Sequence, residues 1–153
     1  MMTPRWFGEF CCLVDILCPS IETIDRDVMR SMETHYGHLV ENWKVATEEM
    51  RDILIDCARE RRTITYGELS AAIKTIQIPP NSYGMSGMLT EISKEDVKAG
   101  RKGVLATLVV RKSDGRPGPG YFRGALERGM SEDMLEAYWQ EQFELTCADW
   151  GRL

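Results

Sequence analysis

What this 153-residue chain lacks narrows it first. No stretch approaches the roughly 20 consecutive apolar residues of a membrane-spanning helix. The apolar run from Trp6 to Cys18 is short and is broken by Glu9 and Asp15. It also lacks the basic start and small-residue cleavage site of a secretory signal. No membrane partner is therefore expected. The five cysteines (Cys11, Cys12, Cys18, Cys57, Cys147) fall at no metal or redox spacing. An odd number without a secretory signal predicts reduced thiols and a cytoplasmic location. The two histidines, His35 and His38, stand near Glu33 and Glu41 but have no third ligand, so no metal site is expected. Gly115, Gly118 and Gly120 are separated by prolines, and no helix start is expected after them, which excludes a phosphate-cradling glycine loop. No cofactor motif, catalytic carboxylate pair, internal repeat or low-complexity linker emerges.

What is present suits one ordinary globular domain with a real core: 43% hydrophobic and 28% charged residues. The net charge of −5 conceals an asymmetry. Through Glu60 the chain is net −6, from Arg61 to Val97 it is neutral, from Lys98 to Arg128 it is +6, and the tail from Gly129 is −5. A basic middle between acidic ends either meets a localised anionic partner or is neutralised by those ends within the fold.

The most self-consistent stretch is Thr63–Ile73, TITYGELSAAI. Thr65 and Glu68 have the spacing of a capping box, and Ile64 and Leu69 that of a hydrophobic staple. A very short β-branched strand should turn directly into a helix ending near Ile76, before Pro79-Pro80. Upstream, Trp43, Ala46, Met50, Ile53, Leu54, Cys57 and Ala58 recur at three- and four-residue steps, predicting a helix from about Val40 to Arg61. Arg59, Arg61 and Arg62 near its C-terminus suit the helix dipole and need no ligand. Before it, Ile21–Gly37 allows a short helix with a break at Gly37. The N-terminal segment either packs on the domain or is upstream sequence from an over-extended gene start, with Met29 and Met32 as alternative starts. The expected organisation is an extension over 1–38 and a domain over 39–153.

Downstream, a second helix should start near Ser82 or Tyr83, bury Met85, Met88, Leu89 and Ile92, and stop at Gly100. Ser93–Asp96 leaves open whether this is one helix or two. Val104–Lys112 reads as a strand. Ser113-Asp114-Gly115 is a hairpin-turn signal, and Arg116–Gly120 a stiff arm leading to Tyr121-Phe122. Ser131 should cap a last helix through about Cys147, with Leu135, Tyr138, Trp139, Gln142, Phe143, Thr146, Cys147 and Trp150 along one side.

Helix, short strand, helix, helix, strand, Asp-Gly hairpin, strand is a winged-helix order, within an α+β class. In such folds the second helix of the turn reads a groove and a basic hairpin touches phosphate. The expected DNA-binding residues are Tyr66, Tyr83 and Ser86, then Lys94, Lys98, Arg101 and Lys102, and on the wing Arg111, Lys112 and Arg116.

Between about Thr63 and Gly124, TITYGELSAAI and SDGRPGPGYFRG resemble the DNA-binding domain of the O6-alkylguanine-DNA alkyltransferases and alkyltransferase-like proteins. The resemblance covers about 40% of the chain and implies minor-groove binding with rotation of a damaged base out of the stack. Tyr66 matches the family's tyrosine, and Tyr83 takes the position of its arginine finger, from which an aromatic could wedge into a base step. The family's Pro-Cys-His-Arg site corresponds to Leu105–Val110, which holds no Cys, His or Arg. Alkyl transfer needs a thiolate activated by a histidine, so the expected function is non-enzymatic duplex DNA binding. The alternative is a protein-interaction module on the same scaffold, such as a small inhibitor or immunity-type factor. An acidic last helix lying across the basic surface would favour that alternative.

Overall fold

Thr65 begins its helix through both halves of the expected capping box. In the computed structural model, which describes residues 33–151, its Oγ1 accepts from the Glu68 amide at 3.2 Å, and Glu68 Oε2 accepts from the Thr65 amide at 2.9 Å. Such a cap contributes about 1 kcal/mol. The described chain is α+β. Its helices are α1 (Val40–Arg59), α2 (Tyr66–Ala72), α3 (Tyr83–Lys98), α4 (Pro119–Glu127) and α5 (Leu135–Gly151). The strands are two residues each: β1 (Thr34–His35), β2 (His38–Leu39), β3 (Ile64–Thr65) and β4 (Val109–Val110).

The chain divides between Glu41 and Asn42. In the first unit β1 and β2 form an antiparallel hairpin whose turn, Tyr36-Gly37, has φ +50° and +83°, the positive pair a two-residue hairpin requires. Gly37 is thus the expected break, but in a hairpin. The rest of the helix allowed over Ile21–Gly37, and the Trp6–Cys18 segment, lie outside the described residues.

In the second unit the periodic residues go inward as expected. Trp43, Ala46, Met50, Leu54, Cys57 and Ala58 of α1 are buried, with Ile53 half-buried. They meet Met85, Met88, Leu89 and Ile92 of α3 and Cys147 and Trp150 of α5 in one cluster. α3 is a single helix. Ser82 caps it by accepting from the Met85 amide, and Gly100 follows it at φ +73°. α2 stops at Ala72 rather than near Ile76, because Glu49 Oε2 of α1 accepts from the amides of Lys74 and Thr75, both at 3.1 Å. Ser131 starts a 3₁₀ turn, Glu132–Met134, that runs into α5, and its side chain makes no cap.

The expected strand Val104–Lys112 and its hairpin wing do not form. Leu105–Leu108 is a 3₁₀ turn and only Val109-Val110 is extended. The reason is that side chains from two helices satisfy this backbone. Asp96 Oδ2 accepts from the Leu105 amide at 2.9 Å, Thr146 Oγ1 donates to the Val104 carbonyl at 3.2 Å, and Trp139 Nε1 donates to the Thr107 carbonyl at 3.0 Å. A segment anchored this way needs no ladder partner. β4 pairs in parallel with β3, Ile64 opposite Val109.

The Asp-Gly signal is a real turn. Gly115, at φ +66°, donates to the Arg111 carbonyl at 2.9 Å, and Arg111 donates to the Arg116 carbonyl at 2.8 Å. The expected return strand, Tyr121-Phe122, lies instead in α4, which has Gly118 as N-cap and Pro119 at its first position. Proline's missing amide and fixed φ suit that position, so a helix does start among these glycines. Phe122 and Ala125 of α4, Val110, and Leu135 and Trp139 of α5 make a second core cluster.

Candidate nucleic-acid interface

An open groove of about 1060 Å³ lies between α3 and the segment that begins at Gly118 and continues through α4. The exposed stripe of α3 supplies one side: Tyr83, Ser86, Thr90, Lys94, Val97 and Lys98, at three- and four-residue steps that bring them to one face. The lining also includes Tyr66 of α2, Arg111 just after β4, Tyr121 and Arg123 of α4, Arg128 at its C-cap, and Tyr138 of α5.

Charge in the groove has one sign. Lys94, Lys98, Arg111, Arg123 and Arg128 line it, and no Asp or Glu does. Of these five, Arg111 pairs with Asp114 of its own turn. The other four form no ion pair among the described residues. Arg128 lies back across α4, its Nη1 3.7 Å from where a Cβ on Gly124 would stand.

Four of the five tyrosines are here too. Tyr83 is 89% exposed, at the first position of α3. Tyr66, Tyr121 and Tyr138 are half-buried. Burial pushes the Tyr66 phenol up, with a hydrogen bond from the Gly118 backbone and the charge of Arg111 acting against it. A Cβ on Gly118 would stand 3.2 Å from the Tyr66 hydroxyl, so glycine permits this close approach. The Tyr121 hydroxyl shares a 2.9 Å hydrogen bond with Thr107 Oγ1, and burial raises its pKa by more than that bond lowers it. Both phenols stay neutral at any physiological pH.

Six of the ten expected contact residues come together here: Tyr66, Tyr83, Ser86, Lys94, Lys98 and Arg111. The other four are outside the groove, each for its own reason. Arg101 stacks on Trp150, its guanidinium carbon 3.5 Å from the ring centroid, a cation–π contact inside the fold. Lys102 presents its amide, with that of Gly103, to Asp149 Oδ2. Lys112 is exposed on the turn and, with Arg62, contributes weakly to holding Glu68 below the usual glutamate value, after the hydrogen bonds from Thr65. Arg116 pairs with Glu136 of α5 at 3.0 Å.

Arg123, Arg128, Tyr121 and Tyr138 were not expected. The first three became groove residues because α4 is a helix, and the sequence carried a signal for it. Pro119 at the start, Phe122 and Ala125 one turn apart, and Gly129 (φ +87°) just past the end follow the usual proline-first, glycine-last asymmetry.

The described thiols, Cys57 and Cys147, are buried, and burial raises both above the ordinary thiol value. Among the described residues no cluster of three or more His, Cys, Asp or Glu could hold a metal ion, and no helix is long and apolar enough to cross a membrane. The chain matches no protein-family model, no curated protein and no solved structure.

Proposed function

We propose that this is a non-enzymatic nucleic-acid-binding protein. It contacts duplex DNA through α3, the second helix of a helix-turn-helix, and through the cations around the groove. One observation carries the reading: five cations and four tyrosines line one open surface with no carboxylate among them. Phosphate is the common biological partner of such a surface, and aromatic rings beside it suit bases. The tight Ser113–Gly115 turn takes the place of a wing, contributing Arg111 only. The non-enzymatic part rests on the two described thiols, both buried and raised in pKa, and on Leu105–Val110, which holds no Cys, His or Arg.

A protein partner with an acidic face is the second reading. Val97, 67% exposed between Lys94 and Lys98, supplies the apolar contact such a partner would use. The acidic α5 engages Arg116 and Arg61 but contributes only Tyr138 to the groove, which favours nucleic acid.

The test is a fluorescence-anisotropy titration of labelled duplex DNA at low and moderate salt. Binding that weakens steeply with salt, and fails in a Lys94→Glu/Arg123→Glu variant, is the expected result. No binding at low salt would sink the duplex form of the reading.

A further inference from the structure

We infer that the groove takes a single-stranded polynucleotide laid along α3 and prefers it to duplex DNA. The inference rests on the nucleic-acid reading above and specifies the form of nucleic acid. At about 1060 Å³ the groove is near the upper size of small-ligand sites, roughly 300–1,000 Å³. A duplex touches these cations with its outer phosphates, while its bases stay paired and stacked away from the tyrosines. A single strand can enter, because its backbone bends and its bases are unpaired.

The chemistry points the same way. Cations come from two helices, Lys94 and Lys98 on α3, Arg123 and Arg128 on α4, so a backbone running between them is met from both sides. The Tyr121 hydroxyl is already bound to Thr107, and the Tyr66 hydroxyl sits against the Gly118 backbone, 3.2 Å from where a Cβ there would stand. What those rings offer a ligand is carbon surface. Tyr83 adds a third ring standing free in solvent. Rings beside cations in a groove are the equipment of single-strand binding, in which bases stack and the backbone is neutralised. A purely ionic partner would use the cations and leave the rings idle. From Tyr83 to Lys98 the groove follows α3 for about 22 Å at 1.5 Å per residue. That length suits roughly six nucleotides at a stacked spacing of 3.4 Å. DNA and RNA strands share this chemistry.

The experiment titrates the full chain against labelled oligo(dT), oligo(rU) and a mixed-sequence duplex of equal length, each also competed with polyglutamate. Single strands should bind at least about tenfold more tightly than duplex. Their affinity should fall about 100-fold between roughly 50 and 200 mM salt if all five cations meet phosphate. Tyr83→Ala should weaken single-strand binding roughly tenfold and Tyr83→Phe should restore it, since stacking needs the ring alone. Tyr83 is almost fully exposed, so neither change disturbs the fold. Arg123→Glu should weaken binding, and Lys112→Glu, outside the groove, should leave it within about twofold. Tight binding of either strand supports the inference. Duplex binding as tight as single-strand binding, or indifference to Tyr83→Ala, overturns it while nucleic-acid binding stands. Failure of both nucleic acids, or displacement by polyglutamate as effective as by oligo(dT), overturns the nucleic-acid reading itself.

Discussion

Arg101 and Arg123 belong to the same basic stretch of sequence, and the fold gives them opposite uses. Arg101 lies flat on Trp150, beside Asp96, which is fully buried and accepts from Arg51 at 3.0 Å. Burial pushes the Asp96 carboxyl up, against the pull of the Leu105 amide and of Arg51 and Arg101. Arg123 stands on α4 with no carboxylate partner among the described residues. One region uses its cations to hold α1, α3 and α5 together, and the other leaves them facing the open groove. Basic residues in a sequence therefore mark an anion site only where packing leaves them without acids.

The comparison breaks most sharply at Asp96. Asp96→Ala leaves the Leu105 amide without its acceptor and the Arg51 guanidinium with only the half-exposed Glu95, and should destabilise the fold by about 3 kcal/mol. Urea unfolding measures this, and a loss under about 1 kcal/mol would show that the cluster is dispensable. Gly103→Ala comes next. A Cβ there would lie 2.4–2.7 Å from Thr146, largely from its backbone, forcing the Lys102-Gly103 loop off Asp149. A loss of about 1–3 kcal/mol is expected in the same assay.

A matched pair sharpens the contrast further. Arg116→Ala should cost at most about 1 kcal/mol, because its bridge to Glu136 is roughly half exposed, and should leave nucleic-acid affinity unchanged. Arg123→Ala should do the reverse, lowering affinity with no shift in the urea midpoint. If both arginines alter affinity equally, the division between the two regions fails.

The smallest effect concerns acid. Hydrogen bonds from Thr75 and from Thr65, respectively, hold Glu49 and Glu68 below the ordinary value of 4.5. Their folded-state pKa is depressed, so their stabilisation is present above that value and is lost as pH falls through the folded one. Thermal melts should show Thr65→Ala about 1 kcal/mol less stable at neutral pH, with the difference shrinking below about pH 4. A difference constant down to pH 3 would show that the Thr65 hydroxyl contributes nothing to holding the Glu68 carboxylate.

How far the sequence could be read follows the range of the forces involved. Thr65 and Ser82 announced their helices because a cap is made by residues three apart, whatever surrounds them. The buried faces of α1 and α3 were legible from spacing alone. Tyr83, Ser86, Lys94 and Lys98 then fell on the groove because they occupy the other side of a correctly read helix. Val104–Lys112 misled because branched apolar residues suit any buried extended segment, whether paired or not. Arg123 and Arg128 were overlooked because the Pro-Gly run read as a strand-breaking arm rather than as a helix start.

The sequence by itself determined where most helices begin and which faces they bury, since capping and periodicity act within a few residues. Only tertiary structure decided that Asp96, Trp139 and Thr146 would take the backbone of 104–107 from a strand. It alone decided, too, which cations would be neutralised and which would face the groove. Both depend mostly on partners well beyond one helical turn, nine to 42 residues away for this backbone, and no local preference can report what lies across the core.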